Sequence, residues 1–261
     1  MGLQQLPDYP WGLVEPYAAR AREHADGLVD LSIGSPVDPT PDIVREALAA
    51  ATDAHAYPTV AGSPPLREAI VEWFARRRGV AGLTAANVLP TVGSKELVAL
   101  LPWLLDLSEG DVVVHPRAAY PSYDIGARAA GATPFASDDP AEWPETTRLV
   151  WLNSPGNPDG QVMDVAALTA AVTRARELGA VIASDECYAE LGWDGQWAET
   201  PIPCVLDERV TGGDPTGVLS VYSLSKQSNL AGYRAAFIGG DPKLLSSLLN
   251  TRKHLGLLLP G

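Results

Sequence analysis

A chain of 261 residues, 46% of them hydrophobic, can bury a substantial core as one large domain or as a domain with an arm, and its composition is not that of a disordered chain. Its 19 Lys and Arg are scattered among 32 Asp and Glu, for a formal net charge of -13, which argues against a nucleic-acid partner, because a phosphate backbone is held by clustered basic side chains. Cys187 and Cys204 lack a close pair or a histidine cluster, so neither a disulfide framework nor a metal site is indicated, and no run approaches the ~18 apolar residues of a membrane span. The N-terminus has no basic stretch followed by an apolar one, so an unprocessed, soluble protein of the reducing cytoplasm, with no membrane partner, is expected.

Residues 1–30 carry Pro7, Pro10, Trp11 and Pro16, then a short amphipathic stretch from Tyr17 to His24, and read as an arm lying on another surface. Thr40-Pro41-Asp42 predicts a helix capped by Thr40 with proline at its first position, and Ser63-Pro64 repeats the signal ahead of Leu66, Ile70, Val71 and Phe74. From about residue 87 apolar runs alternate with helical periods: a strand at Val88–Val92, a helix at Ser94–Leu105, a strand at Val112–His115, a helix at Pro121–Ala130 and a strand at Arg148–Leu152. A helix capped by Asp164 follows, then strands at Ala180–Ser184, Val218–Tyr222 and Ala235–Ile238, and a helix opening at Asp241-Pro242. This βαβ rhythm predicts an α/β fold: a mostly parallel sheet with helices on both faces.

The most informative segment is Ser223-Leu-Ser-Lys226-Gln-Ser-Asn-Leu-Ala-Gly232-Tyr-Arg234. A lysine on a tight turn among hydroxyls, rather than on a helix surface, can lose hydration and act as an amine nucleophile. Ser223 and Ser225 offer hydroxyl donors, Gly232 lets the backbone come close, and Arg234 carries a planar fork that matches phosphate. A nucleophilic lysine beside an anion site suggests a pyridoxal phosphate Schiff base; a solvated Lys and Arg on a serine-rich loop is the plainer alternative.

Ligands of open α/β sheets bind beyond the carboxyl ends of the strands, so residues where apolar runs stop carry the chemistry. Gly93-Ser94-Lys95 opens a helix after the first run, where backbone N–H groups can meet a phosphate. The run Trp151-Leu-Asn153-Ser-Pro155-Gly-Asn157-Pro158-Asp-Gly160 is either an ordinary proline-rich connection or a rigid loop that aims the Asn157 amide at a ring oxygen. Asp185 ends another run, with Tyr188 three residues on: the acid could pair with a protonated pyridine nitrogen and the phenol reach the ring oxygen, or the two could be a turn cap and a core aromatic. In Pro116-Arg-Ala-Ala-Tyr120-Pro121-Ser-Tyr123, Tyr120 could stack on a planar cofactor or simply pack.

These segments, with Tyr57-Pro-Thr-Val-Ala-Gly62-Ser-Pro-Pro-Leu66-Arg67, occur in the order and approximate spacing of a known family. Over nearly its whole length the chain resembles the class I/II aminotransferases of pyridoxal-phosphate fold type I. The resemblance implies that Lys226 forms the Schiff base and shuttles the proton between the substrate α-carbon and the cofactor, that Asp185 holds the pyridine nitrogen, and that Asn157 and Tyr188 bind the ring oxygen. It gives the phosphate to Ser94, Lys95, Ser223 and Arg234, with Ser225 also cofactor-binding, and the ring face to Tyr120, and it places Gly34 beside the substrate carboxylate and Asn157 among the substrate-binding residues. Tyr57 would reach the phosphate of a neighbouring subunit, which implies a homodimer.

Leu6-Pro-Asp-Tyr-Pro-Trp11 and Asp30-Leu-Ser-Ile-Gly34-Ser-Pro-Val-Asp-Pro-Thr-Pro41 are similar, more narrowly, to the actinobacterial succinyldiaminopimelate transaminases of lysine biosynthesis. That likeness implies glutamate as donor and N-succinyl-2-amino-6-ketopimelate as the keto acid. The expected organisation is an N-terminal arm at 1–40, a cofactor-binding large domain at 41–240 and, at 241–261, the start of an interdomain helix, without the small C-terminal domain whose arginine clamps the substrate carboxylate in this family. A lyase or decarboxylase built on the same cofactor, or a cofactor-binding module without turnover, are the competing readings. A nucleotide-binding protein is a poorer one, since the chain has no G-x-G-x-x-G or Walker segment.

Overall fold

The computed structural model describes residues 6–7, 10–31 and 34–259, so Asp8 and Tyr9 of the first motif and Ser32 and Ile33 of the second lie outside the described residues. Two helices without buried residues come first, α1 (Glu15–Arg22) and α2 (Asp42–Ala50). The cap of α2 is Pro41 rather than Thr40, and no side chain caps it. Thr40 is drawn elsewhere: its hydroxyl donates to the Asn229 carbonyl at 3.4 Å. α3 (Pro64–Arg78) starts as its sequence predicts, with Ser63 Oγ accepting from Leu66 N–H, and it stops at Gly79, whose φ of 67° suits glycine.

The alternation then unfolds into β1 (Val88–Val92), α4 (Gly93–Leu104), β2 (Val112–His115), α5 (Ser122–Ala130), β3 (Thr133–Ala136), β4 (Thr147–Asn153), α6 (Val165–Leu178) and β5 (Val181–Asp185). It continues with α7 (Glu208–Thr211), β6 (Val218–Ser223), α8 (Leu224–Gln227), β7 (Ala235–Gly240) and α9 (Pro242–Leu255). β3 is the strand that pattern reading misses: Thr133-Pro-Phe-Ala is four residues long, holds a proline and forms a half-exposed edge. Asp164 caps α6 through Ala167 N–H at 2.8 Å, as expected, and Asp241 caps α9 through Lys243 and Leu244.

The seven strands form one sheet in the order β1-β7-β6-β5-β4-β2-β3. β7 alone runs against its neighbours β1 and β6; the ladders β6-β5, β5-β4, β4-β2 and β2-β3 are parallel. Strands this apolar are covered on both faces. Val150 and Ile182 pack on one side with Trp73 and Phe74 of α3 and Leu168 and Val172 of α6. Leu149, Trp151 and Ala183, pointing the other way, pack with Leu97 and Leu101 of α4, Tyr123 and Ala127 of α5, and Leu245 and Leu248 of α9.

Direction and register decide what meets at the sheet edge. Asn153 lies opposite Asp185 and Asp185 opposite Val221. Ser223 lies opposite Ala236 and Val92 opposite Ala235. The ends of β4, β5, β6 and β1 and the start of β7 therefore share one edge.

Candidate active site

Asp185 closes β5 as a buried carboxylate, 7% exposed. Burial raises its pKa from 3.8, opposed by hydrogen bonds from Cys187 and Tyr123. Tyr123 Oη donates to Asp185 Oδ2 at 2.9 Å, and Cys187 N–H donates to Oδ1 at 3.2 Å. No ion pair reaches Asp185 among the described residues. A carboxylate so placed, satisfied by neutral donors and lacking a cation, suits a protonated ring nitrogen.

Asn153, the last residue of β4, organises the next wall. Its amide donates to the carbonyls of Asp185 and Pro155, at 3.0 and 3.1 Å, and its Oδ1 accepts from Asn157 N–H at 2.7 Å. One side chain thus fixes the loop that carries Asn157 to the strand that carries Asp185. The Ser154–Pro155 and Asn157–Pro158 peptides in this loop are both cis. Tyr188 stands beyond Cys187, half-buried, and burial together with the charges of Cys187 and Asp185 pushes its phenol up to about 12, so it remains a hydrogen-bond donor at neutral pH.

Tyr120 is half-buried on the approach to α5, its ring centre 6.0 Å from that of Tyr123 and nearly perpendicular to it. Tyr123 is fully buried and stacks on Trp151 at 5.1 Å. Its phenol is raised well above 10.0, first by burial and then by Asp185, so it too stays a donor.

The elements expected to face a phosphate are α4, α8 and the turn before β7. Gly93, at φ 71°, begins α4, and its N–H donates to the Arg234 carbonyl at 2.7 Å. A Cβ at Gly93 would lie 1.8 Å from an Arg234 guanidinium nitrogen, so glycine is what lets that fork cross the helix start. Arg234 is exposed and left-handed, at φ 56°, and donates to the Ala231 carbonyl at 2.9 Å. Ser94 meets Cys187 Sγ at 3.6 Å, which ties this helix start to the end of β5. Lys95 is exposed. Ser223 caps α8, accepting from Ser225 N–H at 3.2 Å and donating to Ser225 Oγ at 2.9 Å.

Lys226 stands on α8, a single helical turn, and so is helical after all rather than on an open turn. It is nevertheless half-buried, and its ammonium donates to the Gly34 carbonyl. A Cβ at Gly34 would lie 3.7 Å from Lys226 Nζ, so the 34–36 segment approaches the amine closely. Tyr57 is fully exposed and takes no part in the hydrogen bonds of the edge.

Lys226, Asp185, Asn157, Ser94, Ser223, Ser225, Arg234 and Gly34 are brought to one sheet edge by strand register and hydrogen bonding, with Tyr120 beside it through its ring contact with Tyr123 and Tyr188 through its charge interaction with Asp185. Tyr123 and Asn153 belong to the same edge and were not singled out from the sequence. The available signal for Asn153 was a polar residue at the last position of a buried run, and for Tyr123 a second tyrosine one helical turn after Tyr120. No cluster of His, Cys, Asp and Glu suited to a metal occurs among the described residues. No helix among them is long and apolar enough to cross a membrane. An aromatic face, a buried carboxylate, an amine and a helix N-terminus with hydroxyls and an arginine fit the parts of pyridoxal phosphate in turn.

The family model for aminotransferase class I and II matches residues 26–256. A 4-dedimethylamino-4-oxo-anhydrotetracycline transaminase from Streptomyces rimosus is 50% identical over 260 residues, which cover 99% of this chain and 71% of that protein. A probable aminotransferase from Mycobacterium tuberculosis is 48% identical over 257 residues, 98% of this chain and 60% of the relative. Among solved structures, a probable N-succinyldiaminopimelate aminotransferase from Thermus thermophilus superposes with a TM-score of 0.84 at 30% identity, over 96% of this chain and 69% of that one.

Proposed function

The chain belongs to the class I and II aminotransferases, and on that premise we propose that it binds pyridoxal phosphate at this sheet edge and moves an amino group from an amino acid, glutamate, to a keto acid. The observation that carries the reading is the convergence of Lys226, Asp185, Asn157 and the Gly93–Arg234 crossing on one edge. When bound, the cofactor supplies an aldehyde that takes up amines and a ring that draws electrons from the substrate α-carbon.

The chain's own residues set the rest. Lys226 Nζ, free of its hydrogen bond to the Gly34 carbonyl, is the amine that engages the cofactor and then carries the proton from the substrate α-carbon. Asp185 keeps a ring nitrogen protonated, and Tyr123 fixes the rotamer of that carboxylate. Asn157 and Tyr188 donate to the ring oxygen, while Tyr120 covers a ring face. Ser94 and Lys95, through α4 backbone amides, hold the phosphate together with Ser223, Ser225 and Arg234. Gly34 and Asn157 receive the substrate carboxylate.

The acceptor belongs to the proposal as well. The likeness to the Thermus N-succinyldiaminopimelate aminotransferase supports a succinylated amino-keto-pimelate and hence lysine biosynthesis, whereas the likeness to the Streptomyces transaminase favours a bulky cyclic ketone. Cytoplasmic action is supported by two buried, unpaired cysteines, Cys187 and Cys204. A homodimer with Tyr57 serving the partner's phosphate completes the reading.

The test is an absorbance titration of the purified chain with pyridoxal phosphate. A visible band is expected on binding, lost in Lys226→Ala, with glutamate bleaching it to the pyridoxamine form in the wild type. Re-oxidation by each candidate acceptor then separates the two substrates. An unchanged band in Lys226→Ala would remove the lysine from its role, and carbon dioxide or an eliminated fragment as product would indicate decarboxylase or lyase chemistry instead.

A further inference from the structure

Glu96 lies in the first turn of α4, the helix whose opening Gly93-Ser94-Lys95 faces the anion site. A carboxylate there suits the helix dipole when no anion is bound, but it repels a phosphate that needs the same N–H groups. The repulsion is answered from the far end of another helix. Arg252, in the last turn of α9 and wholly buried, reaches back to Glu96 with both amino groups, NH1 to Oε1 at 2.6 Å and NH2 to Oε2 at 3.2 Å.

Arg252 Nε is buried without a partner, and NH2 spends its remaining reach on the Leu257 carbonyl at 3.4 Å. A buried ion pair gains little over well-packed apolar side chains, because desolvating both charges costs about what their attraction returns. Its effect on the neighbouring site is another matter. With Arg252 in place the charge of Glu96 is paired; without it, Glu96 would leave an unpaired negative charge within the first turn.

We propose that Arg252 is a positioning residue for the phosphate site, cancelling the charge of Glu96 and tying the opening of α4 to the C-terminal turn of α9. The inference rests on the reading of that opening as the phosphate site. It makes phosphate affinity depend on how α9 sits.

The experiment measures dissociation constants for pyridoxal phosphate and, separately, inorganic phosphate in the wild type, Arg252→Met, Arg252→Lys, Glu96→Gln and the Arg252→Met/Glu96→Gln double variant, with urea midpoints recorded for each. Arg252→Met is expected to weaken both ligands about threefold to tenfold, more at low salt than at high. The double variant is expected to return to within about twofold of the wild type, because the repulsive charge has gone with its partner. Arg252→Lys, which keeps the charge, should lose little affinity even where its urea midpoint falls. A double variant as weak as Arg252→Met would overturn the proposal, as would wild-type affinity in Arg252→Met. Should Arg252→Met fail to fold, the Arg252→Lys and double variants decide alone: weak phosphate binding in both overturns it. If the wild type binds inorganic phosphate in this pattern but no pyridoxal phosphate, the cofactor assignment fails and the role of Arg252 stands; binding of neither ligand overturns both.

Discussion

In the proposed site, Asp185 shows at the scale of one residue how function would work against the free protein. Its folded pKa lies above 3.8 chiefly because it is buried. The folded state therefore holds its proton more tightly than the unfolded chain does, and stability falls as pH rises from the unfolded pKa through the raised folded one. Near neutral pH the ionised carboxylate is a standing cost to the cofactor-free protein, and a ring N–H⁺ would relieve it. Asp185→Asn keeps an acceptor for Cys187 N–H, offers its amide NH2 to the Tyr123 hydroxyl, which can turn to accept, and removes the charge. In urea melts without cofactor it should unfold at a higher midpoint than the wild type at pH 7, with the difference shrinking as pH is lowered toward the unfolded pKa. Its affinity for pyridoxal phosphate should fall about tenfold to a hundredfold, the worth of a charge-assisted hydrogen bond. A variant less stable than the wild type at pH 7 would show that the carboxylate serves the fold instead. Asp185 stood out in the sequence as an acid closing an apolar run, where a turn cap reads equally well, and the structure shows it buried there and accepting from Cys187 N–H. Asn153 was not, because an amide there reads equally as a loop residue until strand register sets it opposite Asp185.

Among elements, the closest contact that matters to the site is between α4 and α5. A Cβ on Gly126 would lie 2.9 Å from the backbone carbonyls of Val98 and Ala99, so these helices touch through their main chains. One carries Ser94 and the other presents Tyr123. Gly126→Ala gains helix propensity but forces backbone apart, for a net loss of about 1–2 kcal/mol. Urea unfolding should register that loss, and pyridoxal phosphate affinity should fall with it as both walls shift; a stabilised variant would mean that the helices have slack. The alternation of strands and helices was readable because the buried strands are mostly apolar runs and α3, α6 and α9 open on a side-chain cap. The edge strand β3 and the one-turn helix α8 were not, since a proline-bearing half-exposed run and a four-residue helix carry too little period to register. Nor does an apolar run state its direction, which is why the reversal of β7 appears only in the ladder.

At the scale of the whole molecule the apolar surface is unevenly spread. Tyr17, Val29, Leu31, Val37, Ile43 and Tyr57 are all at least three-quarters exposed, the last of them fully. Single exposed apolar residues need no explanation, but this many in one N-terminal stretch are what the proposed homodimer would cover. Tyr57, beside Pro58, is fully exposed. In the proposed homodimer, pyridoxal phosphate affinity should fall when the protein is diluted below its dimer dissociation constant, as followed by sedimentation. Tyr57→Phe should weaken the cofactor about tenfold, the loss of one hydrogen bond to a charged phosphate, while leaving the sedimentation of the dimer unchanged. Diluted to monomer, wild type and Tyr57→Phe should bind alike, because neither then receives a partner's hydroxyl. A difference that persists in the monomer would return Tyr57 to its own subunit, and no difference at any concentration would remove it from the phosphate site.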